Sequence, residues 1–325
     1  MTQSKEIHTT TCELNRAADQ FIITRFCYRF KATDPFEPLI DPKYWNPRMT
    51  LFKQFCFPTI VNQKNPNFEW ILIIDPLLPD SHRAELQALI DVHYQSATYN
   101  SRGPRKINLW PWRYGDRLSD PGWIERCRGP LEHPILITTR FDSDDALALD
   151  FTDRLRQLSQ TAKICGFLLV SYPHGYTWNA LATKSKSEIS ATSAIPEGIF
   201  KNCNLPLNAQ GLSLITQRNK YPLTVYFGNH TKLARYLKNP KSHPILAAIY
   251  EKTNELDLTP RAHLFLARKR YKVINSIPTY IRTIHDNNHQ QNLVKFQNGS
   301  KNELLVKKYF GLKTFCEQFD QKAES

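Results

Sequence analysis

Asp142, Asp144 and Asp145 stand within four residues of one another in ILITTRFDSDDALALD, at the end of an apolar run. Such neighbours repel, since unit charges about 4 Å apart in a surface-like dielectric interact by about 4 kcal/mol. Two kinds of positive partner could hold them. One is a helix N-terminus, where Asp142 or Ser143 accepts the first backbone N–H groups and each acid gains about 0.3–1 kcal/mol. That accounts for one or two acids but not for a third beside them. The other is a divalent cation. Carboxylate oxygens suit Mg²⁺ or Mn²⁺, above all where substrate phosphates complete the shell.

The next residues narrow the chemistry. A calcium-binding loop needs glycine at its sixth position, and the sixth residue from Asp142 is Leu147. A nucleophilic aspartate of the D-x-D-x-[TV] kind is disfavoured, because Ala146 stands where Thr or Val is wanted. Seven scattered cysteines without a C-x-x-C pair argue against a disulfide framework or a cysteine-rich zinc site. Cys56 and Cys165 sit among apolar neighbours and read as small core residues.

The elements that must position the acids are strands alternating with helices. FIITRF (21–26), EWILIID (69–75), KINLWPW (106–112) and HPILITTRF (133–141) are strand-like apolar runs. PRMTLFKQFCFPTIVNQ (47–63) has helical spacing, with Pro58 disturbing its latter half. PDSHRAELQALIDVHYQ (79–95) is an amphipathic helix that Asp80 or Ser81 can cap. SDDALALDFTDRLRQLSQTA (143–162) reads as a helix directly after the fourth strand. Alternation of this kind predicts an α/β fold with a mainly parallel sheet flanked by helices. Beyond residue 165, GFLLVSYPHGYTWN and QGLSLITQ predict an antiparallel extension. From about 230 the text is helical and basic, and KNELLVKKYFGLKTFCEQF (301–319) predicts a C-terminal helix interrupted at Gly311. The organisation expected is a polar tail over 1–19, one domain over 20–290 and a helical extension over 291–325.

With 41% hydrophobic residues, a chain of 325 can bury a sizeable core. No stretch approaches the roughly 20 apolar residues of a membrane span. The polar opening MTQSKEIHTTTCELNRAADQ lacks the apolar centre of a signal peptide, so the expected location is the cytoplasm. The formal charge of +13 suits an anionic partner: nucleic acid, an acidic membrane surface or phosphorylated small molecules. The basic residues are dispersed, and zinc-finger, RRM and K-homology signatures are absent, so a nucleic-acid partner is not expected.

The succession FIITRF, RMTLFKQFCFPTIVNQKNPNFEWILIID, ILITTRFDSDDAL, GLSLITQ and IRTIH resembles a rhamnosyltransferase family of bacterial proteins with GT-A glycosyltransferase architecture, over roughly residues 21 to 285. The resemblance implies a GT-A-like sheet and transfer of a sugar, rhamnose included, from a nucleotide-diphosphate sugar to a saccharide acceptor of a cell-surface polysaccharide pathway. It implies Mn²⁺ or Mg²⁺ as cofactor, with Asp144 as direct ligand and Asp142 at the ribose or a metal-bound water. Asp145 would bind the metal or orient its neighbours, and His285 would complete the shell. Thr24, Arg25 and Asp75 would lie at the donor's base or phosphates. Arg140 reads as a neutralising partner for the acids or a donor contact, and Trp178 as core, pocket wall or a stacking surface for a sugar. Glu197 and Asp286 are the candidates for a catalytic base. An acidic cytoplasmic membrane face is an expected peripheral contact. The competing classes are a basic nucleic-acid-binding protein and a metal-dependent phosphodiesterase or nuclease.

Overall fold

The computed structural model describes residues 17–29, 31–96, 102–162, 167–179, 199–204, 210–227, 271–274, 279–284 and 308–312. The first strand, β1 (Ala18–Arg25), lies inside the main sheet, and every residue of it is buried up to Arg25 at the edge. A strand covered on both faces reads as an apolar run, as β2 (Glu69–Ile74) does after Glu69 and β1 does over Phe21, Ile22 and Ile23. β3 (Lys106–Pro111) pairs parallel with β2, and β4 (Ile135–Asp142) pairs parallel with β1.

Between β1 and β2 run α1 (Glu37–Ile40), α2 (Pro42–Leu51), a π turn (Phe52–Cys56) and α3 (Phe57–Val61). Pro58 does not end this helix. It has no N–H to give the carbonyl four residues back, and the ladder resumes through a wider turn in which Phe57 N–H donates to Phe52 O. α4 (Asp80–Gln95) follows β2 as expected, but neither Asp80 nor Ser81 caps it. Pro79 holds the cap position with no side-chain bond. α5 (Gly122–Arg128) precedes β4.

The largest departure follows β4. No helix starts at Ser143. The chain turns, forms the two-residue strand β5 (Ala146–Leu147), and only then enters α6 (Phe151–Thr161). Beyond it come β6 (Phe167–Ser171), β7 (His174–Asn179), β8 (Ile199–Asn204), β9 (Leu212–Gln217), β10 (Tyr271–Val273) and β11 (Tyr280–Ile284).

The central sheet has the order β10-β6-β9-β4-β1-β2-β3, and a second sheet the order β5-β11-β7-β8. Within the central sheet β9 alone runs against its neighbours β4 and β6, and β10 pairs parallel with β6. The antiparallel extension is therefore confined to β9 there, and the later text supplies two strands rather than helices alone. The fold is the expected GT-A-like, mainly parallel sheet. Of the C-terminal helix, the described part is one turn at 308–310.

Strand alternation sorts the core. On one face Ile22, Phe26, Leu72, Ile137 and Phe141 pack under the helices through Phe52, Leu86, Ile90 and Leu155. On the other face Phe21, Ile23, Ile71, Ile73 and Leu136 meet Trp112, Trp123 and Ile124. A further cluster joins the second sheet to the π turn through Phe55, Ala146, Tyr176, Trp178 and Ile281. Among the described residues no helix is long and apolar enough to cross a membrane.

Candidate active site

Asp142 is the last residue of β4 and lies level with Arg25, the last residue of β1. Both sit at the carboxyl edge of a parallel sheet, where open α/β sheets bind ligands. Because the chain turns into β5, the acids of 142–145 are not at a helix N-terminus, and capping cannot explain them.

Each acid has its own surroundings. Asp142 Oδ1 lies 3.8 Å from Arg25 Nη2 and 3.7 Å from Arg140 Nη2. Arg140 therefore does face the acidic turn. Asp145 is buried, and its partners are neutral: Gln210 Nε2 donates to Oδ2 at 2.8 Å and the Thr283 backbone N–H to Oδ1 at 2.9 Å. The Thr283 hydroxyl also donates to the backbone carbonyl of Asp144 at 2.8 Å. Burial pushes the Asp145 carboxyl well above the usual carboxylate range, with the charges of Asp144 and Asp142 adding to it. From the helix side, Arg48 Nη1 reaches Ser143 Oγ at 3.3 Å.

Backbone geometry sets these partners. Gly211 has φ +73°, and a Cβ there would lie 2.9 Å from the Phe151 ring, so the turn that presents Gln210 requires glycine. Cys27, just beyond β1, has φ +47°, a conformation that costs a non-glycine residue about 1–3 kcal/mol.

Among the described residues no three histidine, cysteine or acidic side chains converge as a metal cage. The donor set still suits Mg²⁺ or Mn²⁺. Such ions use one or two carboxylates and take their other ligands from water and substrate phosphates. A cation beside Asp145 would also relieve a buried carboxylate whose present partners carry no charge.

A second acidic centre lies on the same edge. Asp75, just after β2, accepts from Arg29 Nε at 2.9 Å, Arg29 Nη2 at 3.1 Å, Arg29 N at 3.1 Å, Tyr114 Oη at 2.8 Å and Leu77 N at 3.0 Å. Burial works to raise its pKa, but Arg29, Leu77 N–H and Tyr114 outweigh it and hold the carboxyl below the ordinary value. Arg29 also donates to the carbonyls of Ala32 and Asp34.

The remaining expected residues divide. Thr24 is buried on the helix face, where its Oγ1 accepts from Trp70 Nε1 at 3.0 Å. Trp178 is 1% exposed and packs against Phe55 at 4.9 Å, in the cluster that contains Ala146. It backs the acidic turn. Glu197, His285 and Asp286 lie outside the described residues. The described part of β11 stops one residue before His285. Sequence reading missed Arg29, Gln210 and Thr283 as site residues. No local pattern marks them, and the nearest, Arg29, meets its partner across a separation of 46 residues.

No curated protein matches the chain. The family model described as Putative rhamnosyl transferase matches residues 32–241, which contain the acidic turn, Arg48, Asp75 and Gln210. The chain belongs to that family.

Proposed function

We propose that the protein is a metal-dependent glycosyltransferase that moves a sugar, rhamnose by its family's description, from a nucleotide-diphosphate sugar to a saccharide acceptor. The observation that carries this reading is the acidic turn at the carboxyl edge of β4, built without a helix to cap and with Asp145 buried among neutral donors.

Asp144 and Asp145 would hold Mn²⁺ or Mg²⁺, which when bound supplies Lewis-acid stabilisation of the leaving diphosphate. Asp142 keeps Arg25 and Arg140 at the same edge, where their guanidiniums meet the donor phosphates. Thr24 and Asp75 support the donor site through Trp70 and Arg29. His285 is proposed as a further ligand, because Thr283 two residues earlier is bonded to the acidic turn. In the transfer the acceptor hydroxyl gives up its proton, its oxygen bonds the anomeric carbon, and the bond to the diphosphate breaks. Glu197 or Asp286 would take the proton if the transfer inverts configuration. The excess positive charge would hold the enzyme at an acidic membrane face, at about 1 kcal/mol per basic residue near the surface.

The test is a thermal-shift screen of nucleoside diphosphates and nucleotide sugars with and without Mn²⁺, since a bound ligand raises the melting point by mass action. A nucleotide-sugar shift that needs Mn²⁺ is expected. A phosphodiester-hydrolysing activity with no such shift would point instead to a nuclease.

A further inference from the structure

Cations reach the acidic turn from two directions. Arg25 and Arg140 come from the strands and meet Asp142 at 3.8 and 3.7 Å. Arg48 comes from α2 and is held differently. Its Nη1 donates to Ser143 Oγ at 3.3 Å; among the described residues that hydroxyl is its only side-chain hydrogen-bond partner, and it makes no ion pair. Ser143 is 2% exposed and stands between Asp142 and Asp144. A guanidinium keeps its charge at any physiological pH. Here it is partly exposed, close to an acidic turn, and bonded to a neutral group.

Helix chemistry does not account for that placement. A cation in the last turn of a helix usually answers the free carbonyls of its C-terminus. α2 has no such free end, because Arg48 O accepts from Phe52 N–H and the chain runs on through the π turn into α3. Packing does fix the helix that carries Arg48. Asp41 caps it by accepting from Lys43 N–H at 2.8 Å, Trp45 and Met49 are buried, and Trp45 Nε1 donates to Glu85 Oε2 of α4 at 2.9 Å. A second contact locates the charge. Burial pushes the Cys27 thiol up to about 11, and the Arg48 guanidinium works against that rise. Arg48 thus lies by the chain that leaves β1 as well as by the turn that leaves β4, at the carboxyl ends of two paired strands.

We propose that Arg48 is a diphosphate-binding residue of the donor site, gripping the phosphates from the helix side. This rests on the reading of the sheet edge as a nucleotide-sugar site and names a residue that performs it. A diphosphate at the acidic turn satisfies two groups at once: its oxygens complete the shell of a cation held by the acids and accept from the guanidinium. Arg48 acts together with the cation and does not replace it, so diphosphate binding still requires Mn²⁺. Ser143 is the positioning residue, since its hydroxyl aims the guanidinium before the ligand arrives.

The experiment is calorimetric titration of the full-length protein, first with Mn²⁺ alone and then with inorganic pyrophosphate in Mn²⁺ or in chelator. The proteins are the wild type, Arg48→Lys and Arg48→Met. In Mn²⁺ the Kd for pyrophosphate is expected to rise by about tenfold or more in Arg48→Met and by less in Arg48→Lys, which keeps the charge but not the fork. Affinity for Mn²⁺ alone should stay at least as high as in the wild type, because a nearby positive charge has been removed. Should Arg48→Met fold poorly, Arg48→Gln makes the same comparison with a side chain that can still donate to Ser143. Unchanged pyrophosphate affinity in the uncharged variant would overturn the proposal. So would a parallel loss of Mn²⁺ binding, which would make Arg48 a structural support of the turn, or a wild type that binds no pyrophosphate in Mn²⁺. Mn²⁺-dependent nucleotide-sugar binding that ignores Arg48 would remove this inference and leave the proposed function standing. Arg48-dependent pyrophosphate binding in a protein that transfers no sugar would do the reverse.

Discussion

Two buried carboxylates stand at the same sheet edge and are treated in opposite ways. Asp75 has a guanidinium, a phenol and two backbone N–H groups, and its pKa is lowered. Asp145 has one amide and one backbone N–H, and its pKa is raised well above the ordinary value. Among the described residues Asp75 has a countercharge in Arg29, whereas both hydrogen-bond donors to Asp145 are neutral. A carboxylate so bonded as Asp75 is a clasp: it ties the chain after β1 to Tyr114 beyond β3. A carboxylate left without a cation is an arrangement suited to receiving one.

The sharpest break in this comparison is at the acidic turn. Asp144→Asn is expected to weaken Mn²⁺-dependent nucleotide-sugar binding by about 100-fold or more while the protein still folds. The paired measurements are donor titration with Mn²⁺ and circular dichroism of the metal-free variant. An unfolded variant would return the turn to a purely structural role.

Next in size is the clasp. Asp75→Ala leaves Arg29, only 8% exposed, without its countercharge, and is expected to cost about 3 kcal/mol of stability. Urea unfolding checks this through the midpoint. Loss of donor affinity without any loss of stability would instead make Asp75 a base-reading residue.

The same clasp has a pH signature. Its folded pKa lies below the unfolded value of about 3.9, so its contribution is fully present above that value and is lost as pH falls through the lower folded pKa. Asp75→Asn should therefore flatten stability against pH below about pH 4. Unfolding midpoints collected down to pH 2.5 would reveal it.

The smallest effect has the opposite sign. In chelator, Asp145→Asn should raise apo stability by about 1 kcal/mol, because a buried charge disappears while Gln210 can turn its amide to keep the bond. Asp75→Asn under the same conditions should lower it. Equal signs for the two would end the distinction between clasp and cation seat.

The sheet was legible because β1, β2 and β4 carry short apolar runs rich in β-branched residues. The acidic cluster was legible because its repulsion is local. The helix expected from Ser143 was misread for a physical reason. Asp-Ala-Leu-Ala-Leu suits a helix, but Ala146 and Leu147 pair instead with Ile281 and Tyr280, a tertiary contact that overrides the local preference. The partners of the acids were illegible for the same reason. Gln210 lies 65 residues from Asp145, and Thr283 138 residues.

That last separation has a consequence for biosynthesis. A ribosome adding about 5–20 residues per second finishes the acidic turn many seconds before Thr283 exists. During that interval β4 can pair with β1, yet Asp145 lacks its backbone donor and β5 lacks β11. Under the proposed function, a nascent chain would therefore lack a complete donor and cation site until most of it has left the exit tunnel. Long-range closure of this kind is slow to form, so acquisition of ligand affinity should trail formation of the central sheet when the denatured protein is refolded.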